Sequence, residues 1–87
     1  MIPQKEELIL SSLLSTRKTG AEIKSAIFDA TGIDLLPGSL YPTLKKLSED
    51  GLIRVESPNK KKIYKITKYG EMLINRETKR KETLKKI

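Results

Sequence analysis

Apolar residues recur at helical spacing three times before residue 51 and at alternate positions afterwards. Pro3 opens the first pattern, in which Leu8, Leu10, Leu13 and Leu14 surround polar Ser11 and Ser12 and predict a helix of about three turns. The stretch STRKTG interrupts it. Thr19 is a candidate N-cap for a second helix, where Ile23, Ala26, Ile27 and Ala30 fall at i, i+3, i+4 and i+7. Gly32 closes that helix, glycine being the residue that turns most easily past a helix end. A short connection, IDLLP, is expected to carry Leu35 and Leu36 into the core.

The third pattern places Leu40, Thr43, Leu44 and Leu47 on one side of a helix that Gly51 ends near Asp50. Pro42 falls inside it. A proline in a helix interior removes a hydrogen bond and clashes with the carbonyl four residues back, at about 3 kcal/mol. It is tolerated where its N–H would have had no partner, within the first four positions. The helix is therefore expected to begin no earlier than Gly38 or Ser39, with Ser39 as N-cap.

After Gly51 the period becomes two. LIRVE sets Ile53 and Val55 against Arg54 and Glu56, and KIYKIT sets Tyr64 and Ile66 against Lys65. Between them SPNKKK supplies a turn and three consecutive lysines, so the two runs predict a hairpin with a basic tip. A last helix follows from about Thr67, apolar at Met72, Leu73 and Ile74 and polar from Asn75 to Thr83. The expected fold is mainly α with a small β-hairpin, in the order α-α-α-β-β-α. That is the layout of a winged helix-turn-helix, and a three-helix bundle with an incidental hairpin is its competitor. Residues 1–68 would form the DNA-binding domain and residues 69–87 a C-terminal helix serving as a dimerisation element.

Composition narrows the functional classes. Eighty-seven residues, 37% of them hydrophobic, suffice for one small core. With neither cysteine nor histidine there is no disulfide framework, no thiolate metal site and no ready general base. The acidic residues form no constellation suited to catalysis, and Glu6 and Glu7 suit the first turn of a helix instead. No enzyme activity, cofactor or metal is expected. No apolar run approaches a membrane span and the N-terminus lacks the order of a signal peptide, so the chain is expected to be soluble and cytoplasmic, associated with the nucleoid.

The net charge of +7 is unevenly placed. Residues 1–53 carry six Lys/Arg against seven Asp/Glu, residues 54–68 six against one, and residues 69–87 six against three. A basic segment beside a neutral core points to a polyanion. At 100° per residue, Thr43, Leu44 and Leu47 lie within about 60° of Leu40, while Tyr41, Pro42, Lys45 and Lys46 occupy the other half of the helix. A helix entering the DNA major groove by its first turn needs that arrangement, with side chains at base edges and lysines on the flanking backbone. Specificity is assigned to Ser39, Tyr41, Pro42, Thr43 and Lys45, with Lys46 as a backbone clamp. Grip falls to the wing from Pro58 through Asn59 to Lys60, Lys61 and Lys62, where each neutralised phosphate adds salt-sensitive affinity.

GSLYPTLKKLSEDGLI followed by YKITKYG resembles the PadR family of winged-helix transcription regulators, over roughly Leu8 to Leu73. The shared features are Leu-Tyr-Pro in the recognition helix, Leu-x-x-Leu, acidic residues, Gly-Leu-Ile, and Tyr-x-x-Thr-x-x-Gly after the wing. Where many members have Gly-Tyr near the second helix, this chain has Gly20-Ala21. The resemblance implies a homodimer on a short palindromic duplex site, usually acting as a repressor, with the last helix contributing to dimerisation. Longer members carry further helices that build an effector pocket, and no small-molecule effector is expected here.

Leu73, Glu77, Arg80, Leu84 and Ile87 share one face of a continuous final helix, apolar at both ends and charged between. Such a seam pairs two copies weakly unless the first helix, through Ile9 or Leu13, adds apolar area. Two other functions compete with a repressor: a plasmid-partition or centromere-binding adaptor that spreads along DNA, and a protein–protein interaction module using the same face.

Overall fold

The computed structural model describes the backbone of residues 2–86 and the side chains of residues 2–77. Four helices and a three-stranded antiparallel sheet follow one another as α1 (Gln4–Ser12), β1 (Lys18–Thr19), α2 (Gly20–Thr31), α3 (Pro37–Glu49), β2 (Ile53–Glu56), β3 (Ile63–Ile66) and α4 (Lys68–Lys86). The sheet order is β1-β3-β2. The expected fold class holds, with one addition. Lys18 and Thr19 pair with Tyr64 and Ile63, a strand of two residues and too short to display alternation in sequence.

The core lies where α1, α2 and α3 meet the inner face of the sheet. Ile9, Leu10 and Leu13 come from α1 and its end, Ile23 and Ile27 from α2, and Leu40, Leu44 and Leu47 from α3. Leu52, Ile53, Tyr64 and Ile66 cover them from the sheet side, and Ile74 of α4 closes the end. Leu14 is exposed because the helix stops at Ser12 and the chain leaves helical phase. Leu36 is also exposed, against expectation. Its backbone is extended, at φ −68° and ψ 151°, and successive extended residues point to opposite sides, so Leu35 goes in and Leu36 out.

Thr19 caps α2 as expected, in a full capping box. Its Oγ1 accepts from the Glu22 N–H at 3.2 Å, and the Glu22 carboxylate accepts from the Thr19 N–H at 2.9 Å. Those bonds hold the Glu22 carboxyl below its ordinary range, helped by nearby Lys61 and Lys18. The stabilisation is complete above the carboxyl's unfolded value and is lost as pH falls through the lowered one. Gly32 ends α2 and Gly51 follows α3, both at φ +77°.

The start of α3 corrects the sequence expectation. Its N-cap is Leu36 and its first residue Pro37, and the Leu36 carbonyl accepts from the N–H groups of Ser39 and Leu40, each at 2.9 Å. Pro37 is therefore the start signal, at the position where a missing N–H costs nothing. Ser39 sits inside the first turn and caps nothing. Pro42 is an interior proline, and the donor it lacks would have served the carbonyl of Gly38. Gly38 is exposed, so the missing bond costs less than it would in a buried helix. Pro42→Ala should accordingly raise stability by about 1–2 kcal/mol, less than a fully interior proline costs. A shift of the denaturant midpoint to higher concentration is the check.

Candidate nucleic-acid interface

The stretch of α3 from Tyr41 to Glu49 and the β2–β3 hairpin form the two walls of an open cleft of about 780 Å³. Tyr41, Lys45, Ser48 and Glu49 line the helix wall, and Val55, Lys62 and Tyr64 line the strand wall. Tyr41 is 49% exposed and Lys45 is exposed, while Leu40, Leu44 and Leu47 of the same helix are buried. The wheel drawn from the sequence therefore has the right phase. Val55, expected to share the inner face with Ile53, is 38% exposed and forms part of the cleft.

Tyr41 is held from three sides. A Cβ built on Gly20 would lie 2.8 Å from the Tyr41 Oη and 2.9 Å from its Cε1, so the ring lies over the start of α2 where only a hydrogen fits. Tyr64 on β3 stands on its second side, and burial together with the neighbouring Tyr41 pushes the Tyr64 phenol up. Lys61 and Lys62, on the leg leading into β3, line the same recess with Thr19 and Ala21. Sequence reading assigned Tyr41 a role and missed the fit with Gly20. The signal was available in the glycine directly after the Thr19 cap, a place where no turn required one. Gly20→Ala should cost little stability, because the atoms in its way end a mobile side chain, yet it displaces Tyr41. The expected result is an unchanged melting temperature with reduced discrimination between selected and random duplex in competition binding.

The remaining expected residues divide between two sides of α3. Pro42 is exposed at the crest. Ser39 and Lys46 turn toward α1, where Lys5 Nζ donates to Ser39 Oγ at 3.4 Å and Lys46 Nζ lies 3.1 Å from the Glu6 carboxylate. The Glu6 side chain is only 13% exposed, so Lys46 shares its charge with a carboxylate instead of presenting it alone. Thr43 is half-buried and its hydroxyl donates to the Ser39 carbonyl at 2.7 Å, so it offers a groove no free donor. Lys45 enters no ion pair among the described residues.

The wing tip is a 3-10 turn over Pro58–Lys60. Asn59 at φ 53° and Lys60 at φ 67° are both left-handed, and Pro58, Asn59, Lys60, Lys61 and Lys62 are all exposed. Among the described residues no group of His, Cys, Asp or Glu is placed to hold a metal ion. No helix there is long and apolar enough to cross a membrane.

The expected dimer seam is only partly visible. Leu73 is half-buried and packs against the molecule's own core, and Glu77 is half-buried. The side chains of Arg80 and Leu84, and the whole of Ile87, lie outside the described residues. Ile9 and Leu13, expected to add apolar area to the seam, are 0% and 2% exposed within the core, which removes them from any surface.

Three helices, a small sheet and a basic wing beside the exposed face of α3 define a winged helix-turn-helix. Residues 9–76 match the family model described as "Transcriptional regulator PadR-like family", and the chain belongs to that family. Over 65 residues it is 35% identical to the transcriptional activator GvpE1 of Halobacterium salinarum, which covers 71% of this chain and 33% of the relative. The chain thus spans about a third of the length of that curated relative. Its fold is that of a PadR family transcription regulator from hypervirulent Clostridium difficile, with TM-score 0.88, 23% identity and coverage of 97% and 93% of the two chains. A winged-helix DNA-binding protein from STIV is similar at TM-score 0.82 and 23% identity, covering 91% and 88%.

Proposed function

We propose that this chain binds double-stranded DNA sequence-specifically, laying the first turns of α3 in the major groove and the Lys60–Lys62 tip on the adjacent backbone. One observation carries the reading: Tyr41, Lys45 and Lys62 border a single open cleft, so the expected base-reading and phosphate-holding groups face the same way. Tyr41 and Pro42, both exposed, present their rings to base edges. The three tip lysines neutralise phosphates and contribute affinity without sequence information, while exposed Lys45 reads bases beside Tyr41. Family membership supports the regulatory role. Repression is the direction expected from sequence, whereas the similar halobacterial protein is by name an activator. The proposal therefore rests on DNA binding by a regulator, in either direction.

Two copies on a palindromic site follow from the same geometry, since one α3 reads only a half-site. The exposed Tyr69 and Met72, 58% and 56% accessible on the outer flank of α4, support pairing through that helix alongside Leu73. The test is selection of bound sequences from a random duplex pool, followed by footprinting and by sedimentation of the complex. A symmetric protected site bound by two chains is the expected result. Protection that spreads with concentration supports a partition adaptor instead, and affinity that is weak and insensitive to salt removes the DNA reading.

A further inference from the structure

The outer face of the sheet carries a charge arrangement that the α3 cleft does not use. Arg54 and Lys65 stand directly opposite each other across the β2–β3 pair, both exposed. Their strand neighbours Ile53, Tyr64 and Ile66 are buried, so the two cations occupy the face turned away from the core. Like charges in that relation destabilise a hairpin, where an opposite pair would stabilise it. Lys68, the first residue of α4, joins them, and the three cations border one shallow depression floored by Ile66 and Thr67. None of the three enters an ion pair among the described residues. Glu56, the carboxylate at the same alternation on β2, lies 3.8 Å from Arg17. Folding gains nothing from this cluster, whereas an anion placed over it relieves the repulsion.

We propose that this outer face is a second phosphate-binding surface, which takes the backbone of duplex DNA flanking the site held by α3 and the wing tip. The proposal rests on the DNA reading above and extends it. Lys62 faces the α3 cleft and Lys65 faces outward, so the hairpin carries cations on both sides of one tip. Three residues of strand set Lys65, and Arg54 opposite it, roughly 10 Å behind Lys62. A straight duplex running past the tip misses them, and a duplex bent toward the protein meets them. The depression offers no exposed apolar side chain to anchor a protein partner, since Ile66 is 6% accessible. Arg54, Lys65 and Lys68 form a basic patch separated from the wing lysines by Glu56, which Arg17 pairs, and a long polyanion can touch both.

The experiment compares a labelled duplex trimmed to the symmetric sequence recovered by selection with the same duplex extended by about ten base pairs, one helical turn, on each side. The wild-type chain should bind the longer duplex more tightly, with a slope of log affinity against log salt steeper by up to about 2.7 per subunit, three phosphates at 0.9 each. Arg54→Gln, Lys65→Gln and Lys68→Gln combined should leave short-duplex affinity within twofold and abolish the gain from length. Their thermal unfolding should occur at or above the wild-type temperature, because repulsion is removed. Should the triple change unfold the chain, Lys65→Glu alone supplies the reading, since it opposes Arg54 with a carboxylate and should also abolish the gain. A wild-type chain that ignores duplex length, or a folded variant that keeps the gain, overturns this surface alone. Loss of binding to both duplexes by the wild type removes the underlying DNA reading and this surface with it.

Discussion

Gly70→Ala should destabilise the chain by about 3 kcal/mol, the upper range for overpacking, and lower the melting temperature by roughly 12–24 °C for a domain of this size. A Cβ at Gly70 would lie 2.3 Å from the Leu52 carbonyl oxygen, 3.2 Å from its carbon and 2.8 Å from Ile66 Cγ1. Two of those three atoms are backbone, so no rotamer change clears them. The Leu52 carbonyl is also an anchor, accepting from the Thr67 N–H at 3.0 Å and from the Thr67 hydroxyl at 3.1 Å. Thr67 Oγ1 in turn accepts from the Gly70 N–H at 3.1 Å and caps α4. Moving α4 outward to make room for a methyl group therefore strains packing and hydrogen bonds together. Gly38→Ala is the control, because nothing lies within 4 Å of its added carbon. Calorimetry of the two variants separates a general glycine effect from this close approach. Equal melting temperatures would show that α4 does not sit on Leu52.

The largest effect on binding is expected from replacing Lys60, Lys61 and Lys62 together by alanine. All three are exposed. Removing three phosphate-holding cations per subunit should reduce the slope of log affinity against log salt by about 2.7, which between 50 and 200 mM salt amounts to roughly a 40-fold difference in affinity. Cognate and random duplex should weaken by similar factors, since phosphates carry no sequence. Stability should change little, apart from the attraction between Lys61 and the Glu22 carboxylate. Titrations at several salt concentrations provide the measurement. An unaltered slope would show that the wing does not touch DNA.

Gly70 belongs to a motif visible in the sequence as a resemblance, and the lysine triplet to a basic turn visible in its charge pattern; the structure gives the first its physical reason. In Tyr64-x-x-Thr67-x-x-Gly70, the tyrosine supports Tyr41, the threonine caps α4 and binds the end of α3's following turn, and the glycine lets helix and strand meet. The helical stripes of α2 and α3, the Thr19 cap, both closing glycines and the hairpin were legible because each rests on local chemistry. What escaped was non-local or very short. Strand β1 has two residues, and only pairing with Tyr64 and Ile63 makes it a strand. Lys46 looked free because nothing on α3 reveals that Glu6 of α1 lies beside it. The start of α3 was displaced because Pro42 was given the role that belongs to Pro37, five residues earlier.

Asn59 and Lys60 give the hairpin tip a character of its own. A tight reversal is easiest with glycine in its left-handed positions, and a lysine there carries a steric penalty of about 1–2 kcal/mol. The tip combines a cation with an awkward backbone. A drift toward Asn-Gly would make the bend easier to form and leave it with one charge fewer, so ease of folding and hold on a polyanion pull this loop in opposite directions.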